Sequence, residues 1–413
     1  MFLQQKLAFR ALCSRHKLLY RMFNGFFHRR ENRALRAARR ERGIDGNLVV
    51  FSSYNMTAFN DNPWYICMAL RALRPETDVV WLFKDVAAAR KRFDIPGWVR
   101  CVGWNTSEGM EALGRARVIV DNFQKYDWLR LGRGQAYLFS PHHDRTFKHG
   151  GYSRRDRLYG RLVERRASMA TTGSDFGRTA MARYYHYRGP CIDIGLPRND
   201  ILARNDPADE ARVRKKLGIP ADTGVLLYAP TFRDADTRAG CAQPVSLDLS
   251  RALDAFEKTT RRPWVCLVRA HYQSLGLDLS RGDPRLMGAT AYPEMAELLR
   301  VADALITDYS CCAGDFALRG KPVFLYISDI DDYAAHSRAL WIDPRDTPYR
   351  CARTQEALEI LIRSDTPERS ADNCRAVLAF YGAHETGRAA EAAAQYICNQ
   401  LDGLPGLPCD MRD

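Results

Sequence analysis

The sequence has no CxxC pair, although its 413 residues include twelve cysteines. Without that spacing there is no zinc-ribbon pattern. Scattered cysteines in a chain of this length are not the framework of a small disulfide-stapled domain either. Cys266, Cys311 and Cys312 sit in or beside apolar strand-like segments, where cysteine behaves as a small hydrophobe. A reducing compartment and no structural zinc are expected. No apolar run reaches the roughly 20 residues that cross a bilayer. The N-terminal apolar residues are broken by Arg and Lys, and no small-residue cleavage site follows, so a signal peptide is not expected. Repeats and low-complexity tracts are lacking as well. Acidic residues are scarce in residues 1–45, which hold three against twelve Lys and Arg, so most of the net charge of +13 is concentrated there.

What is present is globular. Hydrophobic residues make up 46% and aromatics 11%, too apolar for whole-chain disorder. Two domains of ordinary size fit the length. Within 2–27, Leu12, Leu19, Met22, Phe23 and Phe26 fall at helical spacings with Arg15, Lys17 and Arg21 between them. A basic helix of this kind can lie on an anionic membrane surface. It can equally pack on the protein's own body. A nucleic-acid arm is disfavoured, because the stripe is apolar rather than basic all round.

From residue 47 short apolar runs alternate with helical stretches. Strands are expected at 47–53, 79–83, 118–122 and 135–140, then at 191–195, 224–231, 264–271, 304–310 and 323–328. Such alternation implies parallel sheets covered on both faces. The expected architecture is α/β, with two Rossmann-like doubly wound domains. The division expected is a basic helical extension at 1–45, one domain at 46–190, a second at 191–365, and C-terminal helices with a tail at 366–413.

In doubly wound sheets ligands bind beyond the carboxyl ends of the strands, and four segments there carry chemistry. At 304–333 an apolar strand ends in Thr307-Asp308-Tyr309-Ser310, then small residues, then a helix pattern. With Ser310 as N-cap this is a phosphate site or an ordinary capped turn. Thr231 ends the strand expected at 224–231 and Arg233 lies just past it, where an arginine can fork onto phosphate oxygens. Arg269 and His271 end the next strand. The segment 139–152 holds His142, His143 and His149, and a histidine beyond a strand end can serve as general base. A metal set of His142, His143 and Asp144 is disfavoured, since adjacent residues rarely point at one ion.

These segments, in this order, resemble the CDP-glycerol glycerophosphotransferase family of teichoic-acid primases and polymerases, from about residue 50 to 345. FSSYNMTAFNDNPWYI looks like its opening strand. Gly195 to Asp200 matches G-x-P-R-x-D, and Tyr228 to Arg233 matches its YAPT-aromatic-R. YPEMAELLRVADALITDYS matches its run into D-Y-S, and Lys321 to Tyr333 the strand and loop after it. The resemblance implies two domains facing a cleft, the glycosyltransferase B arrangement, with the acceptor on the N-terminal half and the donor on the C-terminal half. It implies His143 and His271 as catalytic residues. Substrate would be bound by Lys148, Arg198, Thr231, Arg233, Arg269, Thr307, Asp308, Tyr309, Ser310 and Asp329. No cofactor or metal is expected.

The implied reaction moves glycerol phosphate, or a related polyol phosphate, from a CDP-polyol to a lipid-linked or oligosaccharide acceptor of a surface polymer, teichoic acid or capsule. The implied location is the cytoplasmic side of the bacterial plasma membrane, held peripherally through residues 1–45, with no nucleic-acid partner. The chain departs from the family in four places. His142 stands where Trp is usual, Asp144-Arg145-Thr146 where Gly-Thr-Pro is usual, Tyr272 replaces a proline, and Cys311 a serine. A nucleotide-sugar glycosyltransferase and a non-catalytic assembly factor are the alternatives.

Overall fold

Short runs rich in Val, Ile, Leu and Phe form most of the strands of two parallel sheets. The structure is a computed structural model and describes residues 22, 26–123, 129–148, 166–231, 247–269, 282–333 and 340–404. The first sheet contains β1 (Asp45–Phe51), β2 (Asp78–Phe83), β3 (Val99–Gly103), β4 (Ala116–Asp121), β5 (Ala136–Phe139), β6 (Met169–Thr171) and β7 (Cys191–Ile192). Its order is β3-β2-β1-β4-β5-β6-β7. The second contains β8 (Gly224–Ala229), β9 (Trp264–Val268), β10 (Leu286–Gly288), β11 (Ala304–Thr307), β12 (Val323–Tyr326) and β13 (Arg350–Ala352), in the order β10-β9-β8-β11-β12-β13. All pairings in both sheets are parallel.

Successive side chains of a strand point to opposite faces. In the first sheet Val49, Phe51, Val79, Trp81, Val118 and Val120 build one core, while Leu48, Val50, Val80, Leu82, Ile119 and Phe139 build the other. Both faces are dry, which is why these strands read as continuous apolar runs rather than alternating ones.

Four strands carry no clear sequence signal. β3, β10 and β13 are sheet edges, where one flank is exposed and residues such as Arg100 and Arg350 are tolerated. β6 is interior but only three residues long.

The domain boundaries differ from those expected. β7 pairs with β6 in the first sheet, so 191–200 belongs to the first half rather than the second. The first unit takes the described residues up to Asp144, those within 150–200, and those from His384 on; the second takes 145–149 and 201–383. Helix Pro367–Tyr381 therefore belongs to the second unit, and helix Ala389–Leu401 to the first. The cause is local and specific. Asp200 accepts from the Ala389 and Ala390 N–H groups at 3.0 and 2.8 Å, capping a helix whose own N-cap residue, Arg388, offers no side-chain cap.

Residues 29–42 are also not a separate extension. Helix Arg29–Arg42 buries Leu35 completely. Its Arg39 donates to Arg130 O at 3.0 Å and Gln135 Oε1 at 2.8 Å. Glycine at 114 lets this helix approach, since a Cβ there would lie 3.0 Å from Ala38 Cβ and from Leu35 O. Of the apolar stripe expected within 2–27, Met22 and Phe26 are described, and Leu12, Leu19 and Phe23 lie outside the described residues.

Candidate active site

Strand order reverses between β8 and β11 in the second sheet, which opens a crevice at their carboxyl ends. The Thr307 hydroxyl donates to Ala229 O at 2.6 Å, latching the two strand ends together. Just beyond, Asp308 is 3% exposed and receives the Thr231 N–H at 2.9 and 3.1 Å and the Tyr309 N–H at 2.6 Å. A buried carboxylate clasped by backbone N–H groups orients the loops that leave both strands. Tyr309 is fully buried; its ring stacks on Tyr333 at 4.0 Å and its hydroxyl donates to Asp329 at 2.9 Å. Arg269, at the end of β9, donates to Ala289 O at 3.3 Å and Tyr292 O at 2.5 Å. Thr231, Arg269, Thr307 to Ser310 and Asp329 thus share one edge of one sheet. Arg233 and His271 lie outside the described residues.

The helix after Ser310 is shorter than the sequence pattern suggests. It runs only over Cys312–Phe316, and its N-cap position is Cys311, with no side-chain cap. Ser310 Oγ accepts the Cys312 N–H at 3.4 Å. One turn of helix supplies little macrodipole, so the polar loop side chains rather than a helix end set the character of this edge. Burial pushes the Cys312 thiol up to about 12, which makes it a packed thiol and not a nucleophile.

In the first sheet the reversal lies between β1 and β4. Ser52 donates to Asp121 at 3.0 Å, and Tyr137 OH to the same carboxylate at 3.1 Å. Asn122 accepts the Tyr54 N–H at 2.9 Å. Tyr54, Asn55 and Met56 then take three consecutive left-handed conformations, with φ of 44°, 57° and 63°. Non-glycine residues adopt this region at a cost and mostly where the surroundings hold them. His142 follows β5, with the Tyr54 and Phe123 rings each 5.2 Å from its own. His143, beside it, is exposed. Lys148 belongs to the second unit and is bridged to Leu340.

Arg198 sits in the first unit, with its guanidinium 3.5 Å from Asp61 and its N–H on Asn62 at 3.0 Å. Its neighbours in the G-x-P-R-x-D run have architectural partners. Glu385 accepts from Leu196 N and Asn199 Nδ2, each at 2.8 Å. Gly195, at φ 135°, makes room, since a Cβ there would lie 2.6 Å from Glu385 Oε2. Among the described residues no group of three His, Cys, Asp or Glu side chains is placed to hold a metal ion.

Residues 34–399 match the model of the family described as CDP-glycerol:poly(glycerophosphate) glycerophosphotransferase. The chain belongs to that family. It is 26% identical over 318 residues to a teichoic acid poly(glycerol phosphate) polymerase of Staphylococcus epidermidis, covering 74% of this chain and 43% of that protein. A teichoic acid glycerol-phosphate transferase of Staphylococcus aureus is 24% identical over 330 residues, 76% of this chain and 82% of its own length. The chain therefore spans less than half of the polymerase. Among solved structures, the wall teichoic acid polymerase TagF in a variant form aligns with a TM-score of 0.78 at 21% identity, covering 94% of this chain and 98% of that one. A UDP-N-acetylglucosamine 2-epimerase from Listeria monocytogenes, itself assigned as putative, shares the fold more loosely, with a TM-score of 0.51 at 13% identity. The fold of this glycerophosphotransferase family member is of the glycosyltransferase B type.

Three features of the family member escape sequence reading. The left-handed run at 54–56 has one local signal, since asparagine is enriched in that region and Asn55 sits at its centre. The Asp193–His384 contact and the Glu385 clasp join residues 191 and 189 apart. Nothing in the spacing announces either.

Proposed function

We propose that the protein transfers a glycerol-phosphate or related polyol-phosphate unit from a CDP-polyol to a hydroxyl of a surface-polymer acceptor, releasing CMP. An acceptor oxygen attacks the β-phosphorus, a P–O bond forms, and the bond to CMP breaks. His143 takes the hydroxyl proton. Arg233 and His271 stabilise charge on the phosphoryl oxygens and departing CMP, since fixed donors there favour the transition state. Asp308 holds the Thr231 loop against the turn at 307–310. The observation that carries this reading is the gathering of Thr231, Arg269, Thr307 to Ser310 and Asp329 at one carboxyl edge, in a chain of the glycerophosphotransferase family. TagF has been soaked with CDPG, which supports the choice of donor.

Removal of a general base slows a reaction by about 10²–10⁴-fold. His143→Ala is expected to release CMP from CDP-glycerol at a rate reduced by that factor, while CDP-ribitol and UDP-sugars measure donor choice. Wild-type rates in His143→Ala would remove this base. Turnover of a UDP-sugar alone would replace the donor class.

The same reading includes docking on an anionic membrane surface. Among the described residues no helix is long and apolar enough to cross a membrane. Met22 and Phe26 are 63% and 59% exposed, with the Arg29 guanidinium 4.7 Å from the Phe26 ring. Arg29, Arg33, Arg36 and Arg40 are exposed at helical spacing on the packed helix. Each basic residue near such a surface contributes about 1 kcal/mol. Replacing these four by Gln should lower sedimentation with phosphatidylglycerol vesicles about 100-fold or more. Equal binding of wild type and variant would exclude this arginine face.

A further inference from the structure

We propose that Asp144 and Arg145, the first two of the three residues that break the family's pattern after His143, are positioning residues that hold His143 for proton transfer. This rests on His143 being the base.

His143 is exposed, yet each of its neighbours is held. On one side, the His142 ring packs against both Tyr54 and Phe123, whose rings also touch each other. On the other, Asp144, Arg145, Thr146 and Phe147 are all at most 4% exposed. The Asp144 carboxylate receives Gly173 N and Ser174 Oγ, each at 3.0 Å, and Thr172 Oγ1 at 3.3 Å. Ser174 is itself fixed, because its Oγ caps helix Asp175–Tyr184 through the Gly177 N–H at 2.8 Å. Glycines make the space: a Cβ at 177 would lie 1.2 Å from Asp144 Oδ1, and one at 173 would lie 3.2 Å from Oδ2. A site that excludes even a methyl group at 177 is built around that carboxylate.

Arg145 is anchored as firmly. Its Nη2 meets Asp315 Oδ1 at 2.9 Å, with both side chains at most 5% exposed. Glycine at 314 is again needed, since a Cβ would lie 2.8 Å from Arg145 Cβ. Asp315 lies five residues after Ser310, within the second unit, whereas Asp144 belongs to the first. The backbone that presents His143 is thus bonded into the first unit through Asp144. The next residue, Arg145, belongs with Asp315 to the second unit and is fixed there by that ion pair. Small errors in the placement of a reacting group cost large rate factors, and these two anchors restrict the backbone of an otherwise exposed imidazole.

The test is a double-mutant cycle on CMP release. Asp144→Asn keeps the shape and weakens the carboxylate's grip. It is expected to lower kcat 10- to 100-fold with KM for CDP-glycerol unchanged within about two-fold, and to have no further effect in a His143→Ala background. A loss of the same size in both backgrounds, or wild-type kcat in Asp144→Asn, would overturn the proposal. If His143→Ala itself keeps wild-type turnover, the base assignment fails instead. Should Asp144→Asn not fold, Ser174→Ala, which deletes one donor, is read the same way with an expected three- to ten-fold loss. Arg145→Lys should follow the pattern of Asp144→Asn, and dependence on His143 in only one of the two would restrict the role to that residue.

Discussion

Asp308→Ala is expected to lower both the stability and the turnover of this protein more than any other single change at the strand ends. The carboxylate is 3% exposed and takes the Thr231 and Tyr309 N–H groups. Alanine leaves both without that acceptor. An unsatisfied buried donor costs about 1–3 kcal/mol, so the loss sums to about 2–6 kcal/mol against a typical total of 5–15 kcal/mol. The Thr231 loop also loses its tether to the turn, so CMP release should fall with stability. Asp308→Asn, which keeps one acceptor oxygen but no charge, should fall between the two. Urea midpoints and CMP release on the same preparations measure both effects. A wild-type midpoint for Asp308→Ala would show that those N–H groups find other partners at no cost.

The second large effect is expected far from the chemistry. Asp303 immediately precedes β11, and Lys321 and Arg262 lie two residues before β12 and β9, at the amino ends of the second sheet's strands. Here Glu210 meets Arg300 at 2.6 Å, Arg319 at 3.3 Å and Arg214 at 3.3 Å. The Arg300 and Arg319 side chains are 2% exposed, and Arg319 Nε and Nη1 have no hydrogen-bond partner among the described residues. Burial, with the nearby Arg300 charge, pushes the Arg319 guanidinium down to about 10. A similar balance holds next door. Burial alone would raise the Asp303 carboxyl, but Lys321, Arg262 and the Val225 N–H outweigh it and hold it low. Burial also lowers Lys321 despite its partner, so that pair contributes less than Asp303 alone suggests.

Removing one partner of a buried ion pair is strongly destabilising, because the other charge stays buried. Glu210→Ala is therefore expected to cost about 3 kcal/mol, below the top of the usual range since Glu210 is itself partly exposed. Glu210→Gln should recover part of it. The affinity of the folded fraction for CDP-glycerol, measured by calorimetry, should not change, since the carboxyl edge is untouched. A weakened affinity would mean that this cluster shapes the donor site.

The contrast between these two ends explains what could be read in advance. The parallel α/β class was legible because both faces of each sheet are dry, so interior strands such as 79–83 and 304–306 are continuous apolar runs. Thr231, Thr307, Asp308 and Ser310 were legible as site candidates because polar residues that end buried strands have one place to go. Their individual geometry was not legible. That Thr307 latches onto Ala229, and that Tyr309 is fully buried against Tyr333, depends on which strands are neighbours. Spacing along the chain does not encode sheet order.

The amino-acid sequence by itself determined the fold class, the family motifs and their order, and the concentration of positive charge near the N-terminus. Period and composition act over a few residues and survive without tertiary context. Only the tertiary structure decided that β7 closes the first sheet and that Asp200 and Glu385 tie the last helix to it. It also decided that Asp144 and Arg145 anchor the chain on either side of their shared peptide bond. Those contacts join residues from 21 to 190 apart, and buried hydrogen bonds and ion pairs between such distant groups exist only once the backbone has brought them together.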